Sequence, residues 1–449
     1  MTTKFKILNL VALLLAASFV KGQGNQSADF SLQAAIDYAQ KHNATYLNSE
    51  LDVKLAKWKT REVLSAGLPQ VNASLDVKDY FEIPTSLLPG QFFGAPAGTF
   101  IPVKFGTQYQ ATGGGSVSQL IFSSDYIVGV KASKELRTLS EKNLNRTKIE
   151  TVVAVSKAYY TALISKERLK TLDANIERLK KLFNDTKAMN QNGFVEKIDV
   201  DRIELTYNNL VIEREKVGRL VGVTETLLKF QMGYDIKQPI NLTDGLKAEQ
   251  LADLDLMQET KNNYEARSEY SILQSQLKLN NIELKRYKLQ FLPTLSAYGS
   301  YNKQAQRTQF DFLDGTKKWF PIGIVGATIS MPIITGGQRY FKIQQAKLNV
   351  IKTNNSINQV KLMVDMEVSN YSITYKNAYS SMLAQKKNQE LAQSIFDTAK
   401  KKYESGIGSN IEVITAQASL TEAETNYLSA VYDLVIAKMD LDKATGNIK

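Results

Sequence analysis

Two different periods of apolar and polar residues share this chain. Residues 70–79 alternate strictly: Val71, Ala73, Leu75 and Val77 fall on one side, and Asn72, Ser74, Asp76 and Lys78 on the other. A period of two is that of a strand with one apolar and one polar face. This strand extends to about residue 81, and weaker alternation predicts three more at 107–122, 293–303 and 320–331, with Leu295, Ala297 and Tyr301 the clearest apolar row. Strands of a membrane barrel need only about ten residues each. Elsewhere the period is helical. Leu169, Leu172, Ile176, Leu179 and Phe183 step by three and four, and so do Ile203, Tyr207, Leu210, Arg214, Val217, Val221, Thr224 and Leu228. That is the seam spacing of a coiled coil, with Arg214 and Thr224 as its polar exceptions. As one helix, residues 124–189 would run about 100 Å at 1.5 Å per residue.

Proline sets the limits of these elements. All nine prolines fall outside residues 103–238 and 333–449. A proline inside a helix costs about 3 kcal/mol, so the two gaps permit very long helices. The Pro-, Gly- and aromatic-rich stretches 82–106 and 304–319 read as loops at one end of the strands. The run Gly113–Gly115 lies in a strand pattern and lacks the Lys-Ser/Thr of a phosphate loop, so it reads as a strand bend.

The second half repeats the first. SVSQLIFS at 116–123 aligns with TISMPIIT at 328–335, NGFVEKIDV at 192–200 with SGIGSNIEV at 405–413, and LPQVNASLDV at 68–77 with LPTLSAYGSY at 292–301. Each repeat reads as helix, strand, loop, strand, very long helix, tight turn and return helix. Leu420, Tyr427, Val431, Leu434 and Leu441 sit at heptad-compatible positions of the second return helix. The chain therefore divides into a leader (1–22), a first repeat (23–232, with a helical hairpin over 124–232), a connecting segment (233–258) and a second repeat (259–449, hairpin over 336–445). Four strands cannot close a membrane barrel, and an open edge in lipid leaves backbone groups unsatisfied. Spanning strands thus require assembly.

Composition narrows the function. Lys4 and Lys6 precede an apolar run over residues 7–20, the pattern of a secretory leader, and that run is shorter than the ~20 residues of a spanning helix. There is no cysteine, which excludes disulfides, thiolate metal sites and lipidation after the leader, and His42 is the only histidine. Histidine-based catalysis and metal clusters are thereby all but excluded, and no enzyme, cofactor or metal is expected. The formal charge of +11 falls to +8 when Lys4, Lys6 and Lys21 leave with the leader. The remaining lysines are spread among Glu and Gln, as on a solvated helix face, so nucleic acid is not an expected partner.

At this point the chain resembles the TolC-like outer-membrane efflux protein family. The resemblance rests on Phe30-Ser31-Leu32-Gln33-Ala34-Ala35-Ile36-Asp37-Tyr38-Ala39 with His42-Asn43, on Leu68-Pro69 and Leu292-Pro293, on Pro332-Ile333-Ile334-Thr335-Gly336-Gly337-Gln338-Arg339, and on the tips Gly193-Phe194-Val195 and Gly406-Ile407-Gly408. Ile121-Phe122-Ser123-Ser124-Asp125 departs from the pattern, lacking the double glycine of the second corner. The resemblance implies a mainly α fold with transmembrane β: a homotrimeric 12-stranded outer-membrane barrel, four strands per chain, continuous with a long helical coiled-coil tunnel in the periplasm. It also implies docking onto a periplasmic adaptor and an inner-membrane pump, with the barrel in outer-membrane lipid.

The work of such a protein is conduction and gating. Glu196, Asp199 and Asp201 lie near the first tip, and Tyr403, Glu404 and Glu412 near the second; the repeat makes Asp199 and Glu412 equivalent. Three copies would place six carboxylates around the narrow end, a ring that favours cations. The same positions at helix starts also favour acids simply as caps. Tyr403 is a candidate to bond Asp199 on a neighbouring hairpin and hold a closed state, or else to pack in the seam. Gly193, Phe194, Val195, Gly406, Ile407 and Gly408 are candidates for adaptor contact, though glycine also serves the turns themselves. Asp76 and Lys78 are candidates for the barrel lumen. The competing reading is a secreted coiled-coil structural or adhesive protein without a pore. Drugs, metal ions, peptides and proteins all remain compatible cargo.

Overall fold

The computed structural model describes residues 28–246 and 263–448. The leader, and residues 247–258 of the connecting segment, lie outside the described residues. In chain order the elements are β1 (Ala28–Phe30), α1 (Leu32–His42), α2 (Ala44–Ser65), β2 (Gln70–Asp79), β3 (Thr85–Pro89), β4 (Phe100–Lys104) and β5 (Tyr109–Phe122). There follow α3 (Ser124–Gln191), α4 (Lys197–Met232), β6 (Ile240–Leu242), α5 (Ser268–Leu289), β7 (Thr294–Arg307), β8 (Phe320–Ser330), α6 (Gln338–Glu404) and α7 (Asn410–Thr445). The two halves run through helices of matched length: 22 residues in α2 and in α5, 68 in α3 against 67 in α6, and 36 in both α4 and α7.

The chain forms two compact units, one of residues up to Leu51, Lys142–Ser271 and Asn358 onward, the other of Asp52–Glu141 and Ile272–Ile357. The second holds an antiparallel sheet of order β2-β5-β7-β8. Its register keeps the sequence alternation in phase. One face aligns Val71, Val117, Gly299 and Val325, and below them Ala73, Gly115, Tyr301 and Gly323. The other face aligns Asn72, Ser116, Ser300 and Ile324, then Asp76, Thr112, Gln304 and Phe320. A one-residue slip of β2 against β5 would exchange the faces, so the pattern fixes that pairing. β8 is apolar toward both faces. β2 and β8 are the outer strands of this sheet, and their outer backbone edges have no strand partner among the described residues.

Gly113–Gly115 do not bend the strand; β5 pairs continuously through them. At Gly114 the β7 backbone comes so close that a Cβ would lie 2.3 Å from the Tyr301 carbonyl oxygen. The first strand-to-helix corner needs no double glycine. The β5–β7 register shifts between Leu120 and Phe122, and Ser123 Oγ accepts from Tyr126 N at 3.2 Å, capping α3. The second corner uses Gly336 and Gly337 at positive φ instead. Residues 82–106 are not bare loop: β3 and β4 pair antiparallel within them, with Leu87 opposite Pro102. In a two-stranded ribbon each strand has an open edge, where proline's missing N–H is tolerated. β7 also outruns its expected end at 303, reaching Arg307.

The helical unit is built on three main apolar clusters, with a smaller fourth of Val364, Val368 and Ala444. In the first, Phe30, Ala35, Ile36 and Ala39 pack with Tyr159, Leu228 and Met232. The parallel β1–β6 pair brings Ala28 against Ile240 there, and Tyr159 donates to Phe30 O and Asp244 Oδ2, both at 3.0 Å. Burial pushes the Tyr159 phenol well above its usual range. Ser31 caps α1, accepting from Ala34 N at 3.2 Å, which explains the Phe-Ser-Leu start. His42 is exposed but stacks on Tyr38 at 3.9 Å. The second cluster joins Tyr375, Met382, Leu428, Val431, Leu434 and Leu441; the third lies nearer the tips.

Candidate channel gate at the helical tips

Both long helices end in the same way. Gly193 and Gly406 take φ of +78° and +76°. Phe194 N bonds Met189 O at 2.9 Å and Ile407 N bonds Lys402 O at 3.1 Å; Gly193 N bonds Asn190 O and Gly406 N bonds Tyr403 O. This pair of bonds is the Schellman termination, and the left-handed residue it requires is glycine. Gly408 serves differently, since a Cβ there would meet Lys402 Cβ and Tyr403 N at 2.9 Å. The two turns push Phe194 and Ile407 outward, 77% and 81% exposed. Val195 O accepts from Asn190 Nδ2 at 2.7 Å, tying the first tip to its own helix.

The return helices start alike. Asp199 and Glu412 occupy the third position of α4 and α7, with Asp199 N bonded to Glu196 O and Glu412 N to Ser409 O, both at 3.1 Å. The caps differ: Ser409 Oγ accepts from Ile411 N at 3.3 Å, whereas Glu196 makes no side-chain cap bond. Glu196, Asp201 and Glu412 are exposed, and Asp199 is half-buried. Glu412 borders an open groove of about 530 Å³ on the α6–α7 hairpin, with Ile395, Lys402 and Ile411.

Asn410 is the residue that sequence reasoning missed here. It is buried, and its Nδ2 donates to Asp199 O at 2.8 Å and Asp199 Oδ1 at 3.2 Å, joining the two tips. Arg202 lies 3.7 Å from the same carboxylate. The expected Tyr403–Asp199 bond is not made within the chain. Tyr403 is only 6% exposed, and its hydroxyl pairs with Thr186 Oγ1 at 3.2 Å. Thr186 is itself buried on α3, so a polar link between the hairpins sits under the Leu179, Leu182, Phe396 and Val413 cluster. Tyr403→Phe should leave the Thr186 hydroxyl without its partner and cost about 1–2 kcal/mol, whereas Tyr403→Phe with Thr186→Val should cost little. Thermal unfolding in detergent distinguishes the two.

Farther from the tips, the α3–α7 seam holds a polar cluster. Asn175 Nδ2 donates to Glu424 Oε2 at 2.6 Å, and Arg178 reaches Glu424 Oε1 at 3.3 Å, Gln393 Oε1 at 3.2 Å and Asn175 Oδ1. Gln417 Nε2 donates to Asn175 Oδ1 and Thr421 Oγ1, both at 3.1 Å, and the Arg178 guanidinium lies 5.5 Å from the Phe396 ring. Arg214, the polar seam residue of α4, meets Asp173 at 2.8 Å. Asp76 and Lys78 lie on the polar face of the exposed edge strand β2, 3.3 Å apart.

This geometry has known counterparts. The sequence model of the family described as outer membrane efflux protein matches residues 273–447. The toluene efflux pump outer membrane protein TtgC of Pseudomonas putida is 23% identical over 351 residues, 76% of this chain and 69% of TtgC. The outer membrane efflux protein BepC of Brucella suis is 22% identical over 452 residues, 99% of this chain and 91% of BepC. Among solved structures, the outer membrane protein VceC of Vibrio cholerae superposes with a TM-score of 0.68 at 14% identity, covering 92% of this chain and 96% of VceC. A poreless coiled-coil adhesin has no use for a four-stranded sheet with in-phase apolar and polar faces, and these relatives do not favour it. Residues 273–447 thus match the outer membrane efflux protein family, and the chain is similar in sequence and in fold to outer-membrane efflux proteins.

Proposed function

We propose that this chain is the outer-membrane duct of a tripartite efflux or secretion system: three copies close a twelve-stranded barrel in the outer membrane, and their helical hairpins form a periplasmic tunnel gated at its tips. The observation that carries this reading is the four-stranded sheet with two unpaired outer strands, its faces apolar and polar along β2, β5 and β7. In lipid each unpaired backbone group costs several kcal/mol, so the β8 edge of one copy must meet the β2 edge of another until the ring closes. The Val71–Val117–Val325 face then meets lipid, and the face with Asp76 and Lys78 lines the lumen. Two internal repeats of matched helix lengths supply each copy's two hairpins, with the segment 233–258 between them.

The duct is passive. An inner-membrane pump supplies the energy, and a periplasmic adaptor contacts the tips, where Phe194 and Ile407 offer exposed apolar side chains beside Gly193, Val195, Gly406 and Gly408. Asp199 and Glu412, at equivalent depth, with Glu196 and Asp201 beside them, give the narrow end a negative ring that admits cations first. Tyr403, through Thr186, holds the two hairpins of a chain together in the resting state.

Reconstitution into a planar bilayer tests the proposal. The expected result is small stepwise currents that favour cations. Asp199→Asn with Glu412→Gln should raise the resting current several-fold and erase most of the cation preference, because the amides keep the local hydrogen bonds but remove the charge. A protein that forms no steps, and migrates as a monomer on detergent gels without heating, sinks the reading.

A further inference from the structure

The outer ends of the strands carry chemistry that the duct does not use. Residues 80–108, between β2 and β5, and 308–319, between β7 and β8, leave the same end of the sheet, because Asp79 pairs with Tyr109, Tyr109 with Arg307, and Gln304 with Phe320. The first of these segments is built rather than slack. It contains the β3–β4 ribbon, and Gly90 N donates to Thr99 O at 2.7 Å in a turn so close that a Cβ on Gly90 would lie 2.2 Å from Thr99 Oγ1. This frame holds Phe81, Leu87, Phe92, Phe93, Phe100 and Phe105 toward solvent, Phe81 at 97% exposure and Phe92 at 79%. Between residues 80 and 108 only Glu82 and Lys104 are charged. Ordering backbone to hold aromatic side chains in water is unfavourable unless something covers them.

The second segment is braced as well. Arg307 lies 3.3 Å from Asp311, and the rings of Phe310, Phe312 and Trp319 follow one another at 5.4 and 6.1 Å. At its tip Leu313 is 99% exposed. Within one chain the two segments are already neighbours through β5 and β7, and Phe310 packs on Tyr109 at 5.7 Å. The phenylalanines of the first segment stay exposed all the same.

Sheet topology gives the first segment one other neighbour. Head-to-tail closure sets β8 of one copy against β2 of the next. The 308–319 segment, which leads into β8, then adjoins the next copy's 80–108 segment, which follows β2. We infer that the aromatic face of residues 80–108 is covered by the 308–319 segment of the adjacent copy, and that these contacts form an apolar collar around the outer mouth that locks the ring. The inference rests on the proposed barrel. The low charge fits a dry protein contact; an anionic lipid headgroup would be met by clustered lysine and arginine, and here only Lys104 is present.

The absence of cysteine makes the test clean. Full-length Phe92→Cys and Leu313→Cys chains carrying different tags are co-expressed and treated with a short bifunctional maleimide, so that any doubly tagged covalent dimer joins two copies. A second pair, Ser74→Cys with Ile322→Cys, reports on the β2–β8 edge in the same way. The expected result is doubly tagged dimer from both pairs, at least tenfold above a Phe92→Cys and Phe194→Cys pair placed on the outer loop and the helical tip. Edge cross-linking without loop cross-linking overturns the collar and leaves the barrel standing, the more so if a fluorophore on Cys-substituted position 92 is quenched by nitroxide lipid, which makes lipid the cover. Failure of both pairs removes the barrel and the collar together.

Discussion

Glu424→Leu is expected to loosen the packing of the two hairpins by about 3 kcal/mol, because it strands a guanidinium inside the seam. Glu424 accepts from Asn175 and Arg178, and its side chain is 10% exposed against 28% for Arg178. Removing one member of a buried pair costs about 3–5 kcal/mol; the partial exposure of Arg178 places this case at the low end. The desolvation that Glu424 offset stays behind, and Asn175 loses an acceptor at full burial. Replacing both charges, Arg178→Met with Glu424→Leu, should recover most of the loss, since an apolar seam of similar volume needs no compensation. Hydrogen exchange over residues 172–186 and 413–428 reads the effect directly: about a hundredfold faster in Glu424→Leu, near the parent rate in the double variant. Equal rates in all three proteins would mean that the cluster is solvated and does not fix the helices.

That cluster also marks where sequence pattern stops being informative. The strict alternation of residues 70–79 located β2, because successive side chains of a strand point to opposite faces and leave a period of two in the residue types themselves. The proline-free gaps bounded α3 and α6 for a similar reason, since proline is excluded from helix interiors on steric grounds. The α4 stripe from Ile203 to Leu228 is buried or half-buried throughout. On α3 the buried row is Leu172, Asn175, Leu179, Leu182 and Thr186; of the expected seam Leu172 and Leu179 are buried, whereas Leu169, Ile176 and Phe183 are only half-buried. Counting apolar residues passes over Asn175 and Thr186, because each is buried only by virtue of a partner hundreds of residues away. A signal existed: the heptad frame through Leu420 places Gln417 and Glu424 in the α7 seam, and buried polar residues in one helix call for partners in the facing one. The three-residue pair β1–β6 carried no such signal, being too short for any period. At the tips, Gly193 and Gly406 were legible through the backbone they must adopt, whereas Asn410, whose role depends on where Asp199 lies in space, was not.

The sharpest separation between neighbouring residues is expected in β2. Leu75 is 71% exposed in a single chain, near the middle of the strand, on the face it shares with Val71 and Val117. Ser74 is its neighbour on the opposite face, aligned with Gly114 and Asn302. If the apolar face meets lipid, Leu75→Arg places a guanidinium near the bilayer midplane at a cost of about 2–4 kcal/mol per copy, incurred in every subunit of the ring. Ser74→Arg adds the same charge to the same strand but points it into water, where it is stable and well hydrated. The expected outcome is that Leu75→Arg abolishes heat-resistant oligomers in outer-membrane extracts and sends the chain to degradation, while Ser74→Arg assembles at parental yield and shifts the channel's selectivity toward anions. Both variants introduce the same arginine at adjacent positions of one edge strand, and Ser74→Arg adds the greater bulk, so size works against the expected order and the medium on each face accounts for it. Equal assembly of both would place the strands outside the hydrocarbon, and the reverse order would turn the sheet inside out.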